Sequence, residues 1–350
     1  MEIANESIFV SAIRSFCKVF FACVGLFLAF FVGSIVYSIF SSPYAPVEKT
    51  VLTVLPNLEG DVELISFSSP VILQINIDGV IGTPKLLDTT SLQDVLRESR
   101  SGILGKDRVK GIMLHLNTPG GGAVDSDNMY RMLKAYKEKY KVPVYAYVDG
   151  LCASGGMMIS SAADKMYASP PSMVGSVGVI WGPFFNFADV MNKVGVQAMT
   201  LTEGLDKDAM NPFRTWKPDE GTDLKVIMDS SYKRFLDIVT AAHPRLDRQK
   251  LIEEYGAQVF DGDTAQKFGY IDVADAEMTT ALADLMAAAK IDVTKPYQVV
   301  ELSPRVGWLP PISGAASLLS GKMEHSINLG DKRANLPKDQ VCYYYDPILQ

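Results

Sequence analysis

Gly111-Ile112-Met113-Leu114-His115-Leu116-Asn117-Thr118-Pro119-Gly120-Gly121-Gly122 and Pro143-Val144-Tyr145-Ala146-Tyr147-Val148-Asp149-Gly150-Leu151-Cys152-Ala153-Ser154-Gly155-Gly156 decide the fold of this chain. Each is a short apolar run that stops at a cluster of glycines, the pattern of a buried strand feeding a tight loop. Between them Met129, Met132, Leu133 and Tyr136 recur at helical spacing. Upstream, Val71 to Ile81 alternates through Leu73, Ile75 and Ile77 to Gly79, and Thr90-Ser91 then opens a helix with Leu92, Val95 and Leu96 on one face. Strand and helix therefore alternate, which predicts an α/β domain with a largely parallel sheet. Such sheets carry their working loops at the carboxyl ends of the strands, here just after Leu116 and Val148.

Both loops can do chemistry. The glycines after Asn117-Thr118-Pro119 lead into a helix and can turn backbone N–H groups toward an anion. A tight turn or a phosphate cradle would look similar, but no Gly-Lys-Ser/Thr follows, so a P-loop is excluded. In the second loop Ser154 stands at a strand-to-helix junction between very small neighbours. A serine there is either a helix N-cap or an accessible nucleophile. The glycine loop of the preceding unit should lie beside it, with the Gly121 and Gly155 amides together forming an oxyanion hole.

The chain has 350 residues, 48% hydrophobic and 21% charged, enough for a large core. A net charge of -7 without a basic run argues against nucleic acid as a partner. Cys17, Cys23, Cys152 and Cys342 lack metal-ligand spacing, and neither a metal, a cofactor nor a disulfide framework is expected. Val19 to Phe40 runs 22 residues without a charge, sufficient to cross ~30 Å of hydrocarbon. Its length, and the lack of an Ala-x-Ala exit in Ser41-Ser42-Pro43-Tyr44-Ala45-Pro46, favour a retained transmembrane helix over a cleaved signal peptide. Arg14 and Lys18 precede the run and only Lys49 soon follows, which predicts a cytoplasmic N-terminus and an outward-facing remainder.

Several ordered motifs now carry a resemblance: Ile75-Asn76-Ile77-Asp78-Gly79-Val80-Ile81, Asn117-Thr118-Pro119-Gly120-Gly121, Ala153-Ser154-Gly155-Gly156, Gly175-Ser176-Val177-Gly178-Val179, Lys207-Asp208 with Asn211-Pro212, and Val259-Phe260-Asp261-Gly262 before Ala265. Over Val71 to Asp272 the chain resembles the signal peptide peptidase A (SppA/SohB) family in its short, single-domain form. The resemblance implies a ClpP/crotonase-like spiral of ββα units behind one N-terminal transmembrane helix. It also implies a serine peptidase with a Ser/Lys dyad, homo-oligomeric rings, and hydrophobic membrane-derived peptides such as signal-peptide remnants as substrates. The setting implied is the bacterial inner (cytoplasmic) membrane, with the catalytic domain on its extracytoplasmic side.

The base of that dyad is less legible than the nucleophile. Of three histidines, His115 lies inside a strand, and His243 and His325 lie outside any glycine-rich context, so a Ser/His triad is not the expectation. A lysine base must be desolvated, since only about one free ε-amine in 2,500 is neutral at pH 7. If a helix continues from Ser154, Lys165 lies about 16 Å along it and out of reach. Lys193 follows Phe187, Val190 and Met191 in an amphipathic pattern and reads as solvated. Lys207, in Glu203-Gly204-Leu205-Asp206-Lys207-Asp208, would by itself read as an exposed loop residue. The resemblance selects it as general base and maps an orienting serine onto Ser176; Asp206 and Asp208 should then point away, toward Arg214.

The expected organisation is a cytoplasmic N-terminus and anchor (1–40), a stalk (41–69), a peptidase domain (70–290) and a partly extended C-terminal segment (291–350). The end, Cys342-Tyr343-Tyr344-Tyr345-Asp346-Pro347, could go to its own domain, a neighbour or the substrate groove; packing on the domain is the expectation. Two other classes compete with a peptidase: a crotonase-like acyl-CoA enzyme, and a catalytically silent membrane scaffold of the same fold.

Overall fold

The computed structural model describes residues 8–40, 50–62, 68–304 and 342–344. The chain divides into two compact units, Met1–Glu48 and Lys49–Gln350. The first holds α1 (Ile8–Phe40). Its window Ile13–Gly33, 21 residues of mean hydropathy 2.3, is long and apolar enough to cross a membrane, a property that a signal sequence near the N-terminus shares. The candidate span thus begins earlier than the charge-free run and includes Arg14 and Lys18.

In the second unit the chain runs β1 (Thr50–Leu55), β2 (Val71–Asp78), α2 (Thr89–Glu98), β3 (Val109–Thr118), β4 (Gly120–Gly122), α3 (Ala123–Tyr140), β5 (Val144–Ala153), α4 (Gly155–Ser160), β6 (Lys165–Ala168) and β7 (Met173–Gly175). It continues with α5 (Ala188–Val194), α6 (Thr222–Ala242), the single turn α7 (Arg248–Lys250), β8 (Val259–Asp261), α8 (Gly262–Phe268), α9 (Met278–Ala288), β9 (Gln298–Pro304) and β10 (Cys342–Tyr344). The main sheet has the order β1-β9-β2-β3-β5-β7-β8, with β6 also on β5. Pairings β9-β2-β3-β5 and β5 with β6 and β7 are parallel; β1 and β8 close the two ends antiparallel. The predicted α/β, largely parallel architecture is the one observed. A parallel bridge from Ile81 to Gly121 follows β2 and β3, so the units β2-α2 and β3-α3 each place a short extended segment between strand and helix.

Alternation along β3 sends side chains to two cores. Ile112, Leu114 and Leu116 join the large core that also holds Met129, Leu133, Met157, Ile159 and Phe235, whereas Met113 joins a smaller one with Tyr147, Leu282, Leu285 and Met286 of the α9 side. Both faces of the central strands are covered, which is why they read as nearly continuous apolar runs.

Non-local pairing redraws the expected boundaries. Thr50–Leu55, inside the segment assigned to a stalk, is an edge strand paired along its whole length with β9. Gln298–Pro304, assigned to the C-terminal segment, sits between β1 and β2 in the sheet. Helix α4 ends after six residues instead of running on from Ser154, because Lys165–Ala168 returns to the sheet as β6. Residues 41–49, the remainder of the C-terminal segment and His325 lie outside the described residues.

Candidate active site

Strand β5 ends at Ala153, α4 begins at Gly155, and Ser154 makes the turn between them in one residue with φ 55° and ψ -112°. An L-residue rarely adopts such a conformation, and holding it costs about 1–3 kcal/mol. The fold fixes it from both sides: the Ser154 amide donates to the Gly175 carbonyl at 2.9 Å, and its carbonyl accepts from the Met158 amide at 3.2 Å. Ser154 is 1% exposed, and its Oγ is buried without a hydrogen-bond partner among the described residues. It caps no helix amide through its side chain, so the N-cap reading does not hold. A buried unbonded hydroxyl is disfavoured unless something not yet present engages it.

Neighbouring loops are stapled around this turn. Asn117 Nδ2 donates to Asp78 at 3.2 Å while its Oδ1 accepts from the Leu151 amide at 3.2 Å. Thr118 Oγ1 donates to the Gly79 carbonyl at 2.6 Å and accepts from the Gly120 amide at 3.1 Å. These two side chains tie the ends of β2, β3 and β5 together. They also account for the polar Asn-Thr pair before the glycines, which the sequence reading treated only as loop.

Close approach then demands the glycines. A Cβ on Gly121 would sit 2.0 Å from the Ile81 carbonyl oxygen, and one on Gly156 2.7 Å from Thr118 Cγ2. On Gly155 it would meet Ser126 Oγ at 2.4 Å, Ile81 Cδ1 at 3.1 Å and Gly120 Cα at 3.4 Å. The two glycine loops therefore touch, and Gly155 opens α4, where an amide has no acceptor within its own helix. Ser126 holds its hydroxyl on the Gly122 carbonyl at 2.8 Å, a supporting contact with no signal in the sequence beyond its place in the first turn of α3.

The structure brings Ser176 to the same place. Ala153 pairs with Gly175 in parallel, and Ser154 and Ser176 are the residues that follow them, each where its strand ends. Ser176 is 4% exposed, also has a left-handed φ of 57°, and donates its amide to Gln258 at 2.6 Å.

Lys207 is not brought to Ser154. It is exposed and has no hydrogen bond or ion pair among the described residues. Its flanking acids are occupied elsewhere: Asp208 by Arg214 at 2.7 Å, and Asp206 by Lys217 at 2.5 Å rather than by Arg214. Arg214 also binds Glu220 at 2.9 Å, and these bonds hold the Glu220 carboxyl down at about 2 and the Arg214 guanidinium above its ordinary range. Trp216 donates to the Asn211 carbonyl at 2.8 Å, and Pro212 accepts from the Phe187 amide at 2.7 Å. The turn bearing Lys207 is thus built, not loose. In the same stretch of chain Phe185, Phe187, Met199, Leu201, Leu205 and Phe213 are exposed, with Phe187 stacked on both Phe185 and Phe213.

Other candidate groups are committed elsewhere. Lys165 binds Asp284 at 2.9 Å; hydrogen bonding to Tyr167, then to Asp284, raises its ammonium further above its ordinary range. It is removed from the site by this pairing at the start of β6, not by position along a helix. Lys193 lies exposed on α5. His115 points to the face opposite α3 and α4, beside Asp149 at 3.6 Å, in a cavity of about 340 Å³ shared with Tyr147 and Leu282. Burial holds His243 down at about 4 and pushes the Cys152 thiol up to about 12, so that thiol is no competing nucleophile. No metal-binding cluster occurs among the described residues.

Peptidase family S49 matches residues 136–292, a segment that contains Ser154, Ser176 and Lys207. A candidate protease of Methanocaldococcus jannaschii is 33% identical over 166 residues, covering 47% of this chain and 52% of that protein. A candidate signal peptide peptidase SppA of Enterococcus faecium is 31% identical over 164 residues, covering 47% of each. The chain spans about half the length of these curated relatives. A point mutant of the 1510-N membrane-bound stomatin-specific protease aligns with TM-score 0.39 and 16% identity, covering 68% of this chain and 99% of that one. The similarity to peptidase family S49 thus covers a little under half of the chain, residues 136–292.

Proposed function

We propose that this chain is a membrane-anchored serine endopeptidase whose nucleophile is Ser154 and whose general base is Lys207, delivered by a second copy of the chain. The observation that carries the reading is the Ser154 hydroxyl: buried, without a partner among the described residues, and held in a strained turn between two glycine loops. Strain and an unbonded polar atom in one residue indicate a reactive group awaiting its partners. The exposed apolar surface in the stretch that bears Lys207 supports burial of that turn against a neighbouring protomer, which would both desolvate the amine and carry it to a serine. Homo-oligomerisation and catalysis are then one event.

In the reaction proposed, the neutral Lys207 amine takes the Ser154 Oγ proton as the oxygen attacks a peptide carbonyl. The Gly121 and Gly155 amides receive the oxyanion, and Ser176 orients the amine. Collapse of the tetrahedral adduct breaks the C–N bond, the Lys207 ammonium protonates the leaving amine, and an ester to Ser154 remains. Water, giving its proton to Lys207, hydrolyses that ester and restores the serine. No cofactor enters these steps. The substrates proposed are hydrophobic membrane-derived peptides such as signal-peptide remnants, met by a catalytic unit on the extracytoplasmic side of the bacterial inner membrane and anchored in lipid by α1.

The test is a pH-rate profile on a fluorogenic hydrophobic peptide for the parent and Lys207→Arg. A titrating lysine base gives a rising limb at neutral to mildly alkaline pH, and arginine, which keeps its proton, abolishes turnover. Turnover by Lys207→Arg with the parent's profile would remove Lys207 from the reaction.

A further inference from the structure

The face of the sheet turned away from α3 and α4 carries a cavity of about 340 Å³ that the proposed peptidase reaction leaves unused. Alternation of side chains builds it. Met113 and His115 of β3, with Tyr147 and Asp149 of β5, lie on the α9 side, one residue out of step with Leu114, Leu116 and Val148 of the large core. His115 and Tyr147 are register partners, and their rings stack at 6.2 Å between centroids and 11° between planes. Leu55, Met113, Met278, Leu282 and Val299 supply apolar lining. Toward the carboxyl ends of the strands this face turns polar: Ile72 is followed by Gln74, Met113 by His115, and Tyr147 by Asp149. The cavity therefore has an apolar end and a polar one.

The polar end is short of partners and carries one sign of charge. Gln74 donates to Asn76 at 2.9 Å, and Asn57 accepts from the amides of Glu59 and Asp61, so both side chains are occupied. Asp149 is different. Its Oδ2 stands 3.6 Å from His115 Nε2, beyond hydrogen-bond distance, and its Oδ1 accepts only a long 3.4 Å bond from the Ser169 hydroxyl. The Asp149 side chain is 58% exposed and that of His115 29%, so a solute can reach both. Among the described lining residues there is no lysine or arginine. The Tyr147 hydroxyl is held above its ordinary range, first by burial and then by the carboxylates of Asp149 and Glu277, which reflects the same negative field.

An anion would be repelled there, and a neutral solute would leave the carboxylate unpaired. A cation on an apolar body satisfies both ends. At the ~30 Å³ that a water-sized group occupies in a liquid, the cavity holds roughly ten non-hydrogen atoms. The flat wall of His115 and Tyr147 suits a ring. We propose that this cavity binds a small hydrophobic amine, its ammonium on the Asp149 carboxylate and its aromatic body among Met113, Tyr147, Leu282 and Val299. The site is separate from Ser154 and stands independently of the peptidase reading.

The experiment follows the Met113 and Met278 methyl signals of the full-length chain by NMR, in a nonionic detergent, as phenethylamine is added. Saturable shifts at both are expected. Phenethyl alcohol, which has the same shape without the charge, should bind about tenfold more weakly, and phenylacetate should not bind. Asp149→Asn should weaken binding of the amine about tenfold at unchanged melting temperature. Leu282→Trp, which fills the cavity, should abolish the shifts. Equal binding of the alcohol or the acid, or undiminished affinity in Asp149→Asn, would overturn the pairing of ammonium with carboxylate. Absence of saturable shifts in the parent would overturn the site itself. Should Leu282→Trp fail to fold, Asp149→Asn decides alone, because it alters a side chain that is more than half exposed.

Discussion

Ser154 donates its amide at 2.9 Å to the carbonyl of Gly175, the residue immediately before Ser176. Each serine follows directly on the end of a strand, Ser154 after β5 and Ser176 after β7, with a left-handed φ at each. The site is built by main chain, and its side chains are consequences.

Relief of that geometry gives the first prediction. Glycine adopts positive φ without penalty and carries no buried hydroxyl, so Ser154→Gly should stabilise the protein by about 1 kcal/mol, roughly 2–4 °C in melting temperature. Hydrolysis should vanish in the same variant. Calorimetry beside the peptide assay checks both, and a destabilised Ser154→Gly would show that the turn is not strained.

Gly155 and Ser126 should be coupled. Gly155→Ala pushes a methyl to within 2.4 Å of Ser126 Oγ, an overpacking expected to cost about 1–3 kcal/mol. Ser126→Ala alone loses one hydrogen bond, about 1 kcal/mol. The double variant should be less unstable than the sum, by about 1 kcal/mol, when denaturant midpoints of the four proteins are compared. Strict additivity would mean that the two loops do not touch as described.

Arg214 should set the pH range of catalysis. It holds Asp208 and Glu220, and Lys217 holds Asp206, so neither acid flanking Lys207 is ion-paired with it. Arg214→Gln frees Asp208 to approach the amine, which favours the charged lysine. The rising limb of the pH-rate profile should shift to higher pH, with kcat at neutral pH reduced roughly tenfold. A fall in kcat without any shift would point to disorder of the turn instead.

His243 contributes a pH-dependent stability of opposite direction to a paired histidine. Its folded value of about 4 lies below the ordinary 6.5, so the unfolded chain takes up the proton first as pH falls. Stability is full above about pH 6.5 and declines toward pH 4, by about 3 kcal/mol in all. Thermal unfolding across that window should flatten in His243→Gln, and equal slopes in both proteins would contradict a neutral buried imidazole.

Much of this was readable in advance, for physical reasons that particular residues show. Strands β2, β3 and β5 and the Ser154 turn announce themselves locally, through apolar runs that stop at glycine. Strands β1 and β9 do not, because each depends on pairing with a segment more than 240 residues away in sequence, between Thr50 and Pro304. The short α4 was missed because Met157, Met158 and Ile159 continue a helical appearance until Lys165 is drawn back to the sheet. Lys207 was silent for another reason. Under the proposed reading its burial would need a second copy, so in one chain it looks like any charged turn with exposed apolar neighbours.

The measurement that tests the central claim most directly is complementation between two inactive variants. Ser154→Ala retains Lys207, and Lys207→Ala retains Ser154. Mixed and allowed to exchange protomers, they should recover a substantial fraction of parental peptide hydrolysis, because an intact serine then meets an intact lysine across an interface. A mixture that assembles yet stays as inactive as either variant alone would contradict a dyad shared between copies.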